Sequence, residues 1–148
     1  MFYHFKIQHW GLVLGTILII VGLSNLFPIH RRKNGSDPIL ATINNKRSLL
    51  RLRPLEQTVD LTQFAQERSC YLYVNRVWSH DKFVEGTTTR NFNYQNLAEN
   101  IIKDFLSNDQ AVESFVNSPV HKETLLSKDY RYIGIGRCGS YMVNIFGK

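Results

Sequence analysis

The distribution of apolar and polar positions divides the chain into three parts. Residues 10–27 form an uncharged, largely apolar run, residues 28–38 are polar with two prolines and a glycine, and residues 39–148 contain periodic segments separated by turns. A long apolar run at a chain end is typical of a targeting or membrane helix, and a polar stretch with Pro and Gly is typical of a linker. We therefore predict an N-terminal apolar helix within residues 1–27, a linker over 28–38 and one domain over 39–148.

Helical periodicity is strongest at the start of this domain. Residues 39–51 place Leu40, Ile43 and Leu50 on one face, and Pro54 closes the segment because the residue before a proline avoids the helical region. Residues 61–80 predict a longer helix with apolar side chains on two sides, which is typical of a helix between two layers. One side carries Leu61, Phe64, Ala65 and Leu72, and the opposite side carries Cys70, Val74 and Val77.

The second half of the domain predicts shorter elements. Residues 81–96 have no convincing period and are predicted to form a loop, whereas residues 97–106 are predicted to be helical. Ser118 caps a further short helix whose first residue is Pro119. Residues 130–147 alternate on both sides of a central turn, as in a β-hairpin. Helices followed by a terminal hairpin predict an α+β domain.

The N-terminal run allows two interpretations. As a helix, residues 10–27 would measure about 27 Å, enough for a bilayer core. Lys6 before the run and a small-x-small pattern at residues 22–24 fit a cleaved signal peptide. As an uncleaved anchor, the run would be followed by the basic residues 30–33, which by the positive-inside rule would keep the domain in the cytoplasm. We expect an extracytoplasmic protein, secreted or anchored to the membrane through this segment.

Composition and charge exclude one class of partner. The chain is 43% hydrophobic and 20% charged, as in globular proteins, and its net charge is +6. Residues 37–148 contain 14 of the 18 basic residues and all 12 acidic ones, which leaves only +2 on the domain. Nucleic-acid binding would need a clustered basic stripe, so no nucleic-acid partner is predicted.

Several short motifs occur in an order that is fairly specific. They are INNKR (43–47), RPL (53–55), WSH (78–80), LAENI (97–101), FVNSPVHKETLL (115–126), YRYIGIGR (130–137) and YMVNIFG (141–147). In this order the chain resembles the CAP superfamily, or SCP-like domain, of cysteine-rich secretory, antigen five and pathogenesis-related proteins, in its short bacterial form. The resemblance implies an α-β-α sandwich with a central cleft lined by two histidines and acidic residues.

The resemblance assigns cleft residues one by one. His80 matches the histidine that closes the long helix, Glu99 the cleft glutamate, and His121 the histidine after Ser-Pro. Ser118 stands where eukaryotic members carry a second cleft glutamate, which weakens any inherited acid–base chemistry. The family implies lipid or sterol binding, or divalent metal bound through the histidines, for eukaryotic members and no settled activity for bacterial ones.

The residue types allow more than one chemistry. Two imidazoles and a carboxylate suit Zn²⁺, with His80 and His121 as ligands and Glu99 as the candidate catalytic base. Their wide spacing is not a local metal motif, so His80 as a helix-end residue, His121 as a solvent-facing residue and Glu99 as a scaffold acceptor are competing interpretations. Cys70 and Cys138 either form a disulfide or remain thiols.

These observations lead to one preferred function and two alternatives. We expect the cleft of His80, Glu99, Ser118 and His121 to bind a small, lipid or cell-surface ligand. The alternatives are a Zn-assisted hydrolase that uses the same cleft and a structural or interaction module without catalysis. Whether the protein is an enzyme stays open at this point.

Overall fold

A computed structural model describes residues 37–148. The predicted signal or anchor over residues 1–27 and most of the linker lie outside the described residues. Pro38, which the sequence pattern places in the linker, is already the first residue of a helix. Within residues 37–148, no helix is both long and apolar enough to cross a bilayer.

The described residues form five helices and four strands. In chain order they are α1 (Pro38–Leu49), β1 (Glu56–Gln57), α2 (Val59–Asn75), α3 (Phe83–Thr88), β2 (Leu97–Lys103), α4 (Asn108–Asn117), α5 (Pro119–Leu125), β3 (Tyr132–Cys138) and β4 (Tyr141–Gly147). The strands make one mixed sheet in the order β1-β3-β4-β2. β1 is parallel to β3, and the other two pairs are antiparallel.

Both faces of the sheet are covered by helices. Along β4, Met142 and Phe146 pack with α1, α4 and α5, whereas Val143 and Ile145 point to the opposite face and pack with α2. This alternation follows from the pleat, which sends successive side chains to opposite faces. The α+β class, the α-β-α sandwich and the C-terminal hairpin of β3 and β4 are therefore confirmed.

α2 approaches the sheet unusually closely at two glycines of β3. A Cβ atom on Gly134 would lie 2.0 Å from the carbonyl carbon of Leu61, and one on Gly136 would lie 2.1 Å from that of Ala65. The helix backbone thus occupies the space that side chains would take. A disulfide between Cys70 of α2 and Cys138 of β3 joins the same two elements, with Cα atoms 4.8 Å apart.

The sequence prediction was wrong for the segment that begins at residue 97. Residues 97–106 are predicted to be helical, but residues 97–103 form strand β2, which pairs with β4 along its whole length. Its residues 99–102 are buried although they point alternately to two faces. Pairing with a distant strand therefore overrides the local helical preference of this segment.

Three smaller predictions also need correction. The segment 81–96 contains helix α3, which at six residues is too short for its period to be recognised. Leu50 is exposed rather than part of the inner face of α1. Val74 on the second side of α2 is exposed as well, whereas Val77 packs partly buried against the core and Cys70 is bonded to Cys138 of β3.

We predict that Gly134→Ala destabilises the domain. The new methyl group would collide with helix backbone, which cannot move without separating α2 from the sheet, so we expect a loss of about 3 kcal/mol in the free energy of unfolding, measured with denaturant. Gly86→Ala is the matched control, because its methyl group would meet the Phe64 ring at 3.0 Å and a side chain can adjust. Equal losses in the two variants would contradict the close approach of α2.

Candidate functional site

A buried ion pair connects α2 to β2. Arg68 lies on the same stripe of α2 as the buried Ala65 and Leu72, and Glu99 lies on the α2-facing side of β2 together with Ile101. The Arg68 Nε atom donates to Glu99 Oε1 at 2.8 Å, and Nη2 donates to Oε2 at 3.4 Å. Only 4% of the Arg68 side chain and 1% of the Glu99 side chain are exposed.

The same pair holds the segment that carries His80. After α2 the backbone turns at Arg76, which has a positive φ of 54°. His80 Nδ1 then lies 2.9 Å from Glu99 Oε2, and Arg68 Nη2 also donates to the carbonyl of Ser79 at 3.1 Å. Arg68 therefore fixes both the carboxylate and the backbone beside the imidazole.

These contacts decide which nitrogen of His80 is available. A carboxylate paired with a guanidinium can only accept hydrogen bonds, so Nδ1 of His80 must donate to Glu99. The other ring nitrogen, Nε2, is then directed away from the carboxylate, and 58% of the His80 side chain is exposed. The site thus presents one oriented imidazole nitrogen to ligands.

His121 is attached to β2 from the other side. Its backbone carbonyl accepts a hydrogen bond from Asn100 Nδ2 at 3.0 Å, and its ring meets the Phe115 ring edge-on with centroids 5.4 Å apart. Since Glu99 and Asn100 are neighbours in a strand, they point to opposite faces and hold the two histidine segments on both sides of one edge strand. Burial, and then the charge of His80, lower the pKa of His121 from its usual 6.5, which favours the neutral ring.

Ser118 takes the predicted N-cap position without capping the helix, and its place in the ligand cleft stays a prediction. It stands between α4 and α5 at the N-cap position of α5, yet its side chain makes no capping hydrogen bond. Within residues 37–148 its hydroxyl also makes no hydrogen bond to His121, so these two residues do not form a nucleophile–base pair.

A Zn²⁺ site that adds Glu99 as a third ligand to the predicted His80 and His121 does not fit this geometry. Both Glu99 oxygens already accept hydrogen bonds, and the adjacent Arg68 guanidinium would repel a dication. In the described part of the chain, no group of three or more His, Cys, Asp or Glu side chains could hold a metal ion. His80 and His121 would supply two ligands, fewer than the three protein ligands of catalytic zinc sites.

A shallow groove with aromatic, apolar and polar lining adjoins the segment that carries His80. Leu97 lies two residues before Glu99 and shares its face of β2, and the amide of Phe83 donates to the His80 carbonyl at 3.1 Å. Both residues line a cavity of about 340 Å³. Its full lining is Phe83, Val84, Thr87, Phe92, Tyr94, Gln95, Asn96 and Leu97. A ligand bound here would lie next to the segment that carries His80.

Sequence reasoning missed the residue on which this site depends. Arg68 interrupts the apolar stripe of α2, four residues before Leu72 and three after Ala65. A cation on a buried stripe requires a buried partner, because unpaired burial is costly. That signal was available, but it does not identify Glu99 as the partner.

Known proteins share this fold and these motifs. The family model described as CAP, cysteine-rich secretory protein family, matches residues 40–144. An uncharacterized membrane protein of Bacillus subtilis (strain 168) is 28% identical over 85 residues, which are 56% of this chain and 23% of that protein.

Solved structures agree with the family match. An extracellular protein with an SCP domain from Bacillus anthracis has a TM-score of 0.70 at 22% identity, over 74% of this chain and 39% of its own. An outer surface protein from Borrelia burgdorferi has a TM-score of 0.68 at 26% identity, over 74% of this chain and 89% of its own. This chain spans less than half the length of the two Bacillus proteins. Because the family model covers most of the chain, and the resemblance found in the motifs is thereby confirmed, this protein belongs to the CAP family of cysteine-rich secretory proteins.

Proposed function

We propose that this protein is an extracytoplasmic CAP domain that binds a small amphipathic ligand beside His80, without covalent chemistry. The observation that carries the proposal is the hydrogen-bonded series Arg68–Glu99–His80. Within residues 37–148 it leaves Nε2 of His80 without a hydrogen-bond partner, on a segment next to a groove with aromatic and polar lining. Ligand sites typically combine an apolar wall with a few fixed polar groups. The ligand class that fits is a lipid-like or cell-surface molecule with a hydrogen-bonding or acidic end.

A hydrolytic function has less support. Glu99 is the candidate base, but its carboxylate is almost fully buried and both of its oxygens accept hydrogen bonds from Arg68 and His80. A general base must reach the proton that it removes, directly or through one water. Glu99 is better suited to orient His80 than to activate a water molecule.

An extracytoplasmic location is part of the proposal. The Cys70–Cys138 disulfide is typical of an oxidising compartment. The related proteins named above are described as extracellular, outer-surface or membrane proteins. The apolar run at residues 10–27 fits export, with cleavage or with retention at the membrane.

The first prediction for this function concerns a dansyl-labelled undecanoate as the probe. We expect it to bind the full chain with a rise in dansyl fluorescence, and we expect His80→Ala to weaken binding about tenfold, as for the loss of one hydrogen bond to a charged group. Thr87→Trp, which fills the groove, should weaken it further. Leu106→Asp changes an exposed apolar residue elsewhere and is the matched control.

Three results would contradict this function. If the wild type, His80→Ala and Thr87→Trp bind the probe equally, the binding site is not the groove beside His80. If the wild type does not bind the probe, the domain is better described as an interaction module. Binding that requires added Zn²⁺ and disappears with a chelator would favour a metal-bridged ligand on His80 and His121 instead.

The second prediction concerns the pH dependence of stability. Folding lowers the pKa of His121 below 6.5, so in mild acid the unfolded chain binds more protons than the folded one. The stability that the neutral His121 ring contributes is therefore present above pH 6.5 and is lost as the pH falls. Below about pH 6.5 the wild type should therefore lose free energy of unfolding relative to the variant His121→Gln. Denaturant titrations across this range measure it. A difference that stays constant, or shifts the other way, would contradict a buried neutral imidazole.

A further inference from the structure

The turn that follows α1 exposes two leucines among basic residues. Leu49 is 78% exposed and Leu50 57% exposed, and Arg51 and Arg53 beside them are exposed as well. Large apolar side chains on a surface are ordinary when they occur singly. Here two are adjacent at the end of a helix, and we call residues 49–53 the Leu-Arg loop.

A buried arginine holds the Leu-Arg loop in this exposed shape. Arg47 is fully buried, and its Nε atom donates to the carbonyl of Arg53 at 2.9 Å. Its own backbone carbonyl accepts the amides of Leu50 and Leu52, both at 3.0 Å. A buried guanidinium is expensive to desolvate, so its hydrogen bonds must be kept. The leucines therefore cannot turn inward without breaking this arrangement.

The same guanidinium fixes a second basic segment beside the loop. It donates to the carbonyls of Leu125 at 2.7 Å, Ser127 at 3.0 Å and Tyr130 at 3.4 Å. The segment carries the exposed Lys128. The neighbouring acid, Asp129, lies 3.9 Å from Lys148.

Three cations of the loop and of the segment beside it are left without acidic partners in the described part of the chain. Within residues 37–148, Arg51, Arg53 and Lys128 form no salt bridge. This combination fits an anionic bilayer surface. The exposed leucines match the boundary of the acyl chains, and the unpaired cations match the anionic headgroups. The loop contains no aromatic residue, whereas protein-binding hot spots are enriched in Trp and Tyr.

We propose that the Leu-Arg loop docks on an anionic phospholipid surface. Leu49 and Leu50 enter the boundary between headgroups and acyl chains, while Arg51, Arg53 and Lys128 contact the phosphates. This surface is separate from the His80 groove, so the proposal goes beyond the ligand-binding function and does not depend on it.

The length of the chain is compatible with docking of a tethered protein. Residues 28–36, between the apolar run and Asp37, span at most about 30 Å when extended. α1 has 12 residues and is about 18 Å long, so its far end, which bears the loop, lies within reach of the bilayer that would hold residues 10–27.

The test places an environment-sensitive NBD label on Leu49→Cys in the full chain, reconstituted in phosphatidylglycerol or phosphatidylcholine vesicles with brominated acyl chains. We expect a blue shift and strong quenching in phosphatidylglycerol only. Arg51→Gln with Arg53→Gln should abolish most of this response, because two cations contribute ~30-fold to association with an anionic surface. Arg76→Gln with Lys82→Gln removes the same charge from exposed positions outside the loop and its neighbouring segment, and should leave the response unchanged.

Position 120 provides the control for non-specific contact. Val120 is 73% exposed on α5, and NBD on Val120→Cys should stay unquenched in both vesicles. Equal signals at positions 49 and 120, or a signal at 49 that does not distinguish the two lipids, would overturn the proposal. So would a blue shift in detergent without vesicles that grows with protein concentration, because a second copy of the chain would then cover the leucines.

Discussion

The buried pair of Arg68 and Glu99 is the constraint on which the site depends. Removing both charges from water is costly, and the cost is offset only if every hydrogen bond is made. Here the carboxylate accepts from Arg68 and His80, and the guanidinium also reaches the carbonyl of Ser79. The orientation of His80 is therefore a consequence of satisfying a buried charge, and a change in either partner would release the imidazole.

The packing of α2 on β3 determines where this pair can form. Gly134 and Gly136 let the helix backbone lie directly on the sheet, and the disulfide at Cys70 joins the same two elements near the end of that contact. Arg68 lies between these points and is thereby directed towards β2. Two glycines and a disulfide, which take no part in the chemistry of the site, thus position Arg68 for its 2.8 Å hydrogen bond to Glu99.

Much of the fold followed from local patterns, whereas the details of the site did not. The period of α2 and the alternation around the hairpin identify their elements because each pattern lies within a few residues. β2 was mistaken for a helix because residues such as Ala98 and Glu99 favour helices locally, whereas their partners in β4, Phe146 and Ile145, lie 48 and 46 positions away along the chain. The meeting of His80 and Glu99 came from the family resemblance, since no spacing rule connects them. Arg47, which holds two loops through backbone carbonyls alone, has no acidic partner that a sequence pattern could reveal.

The central claim is that Glu99 fixes the ring orientation of His80, and the protonation of Nδ1 tests it most directly. Long-range ¹H–¹⁵N correlation spectra of ¹⁵N-labelled protein distinguish the two ring nitrogens. The account predicts that His80 Nδ1 carries hydrogen both in mild acid and at neutral pH, and that the double change Arg68→Met with Glu99→Leu, which removes the acceptor together with its buried partner, abolishes this preference. A neutral His80 with hydrogen on Nε2 and a bare Nδ1 in the wild type would contradict the account, because Glu99 would then have no hydrogen to accept from it.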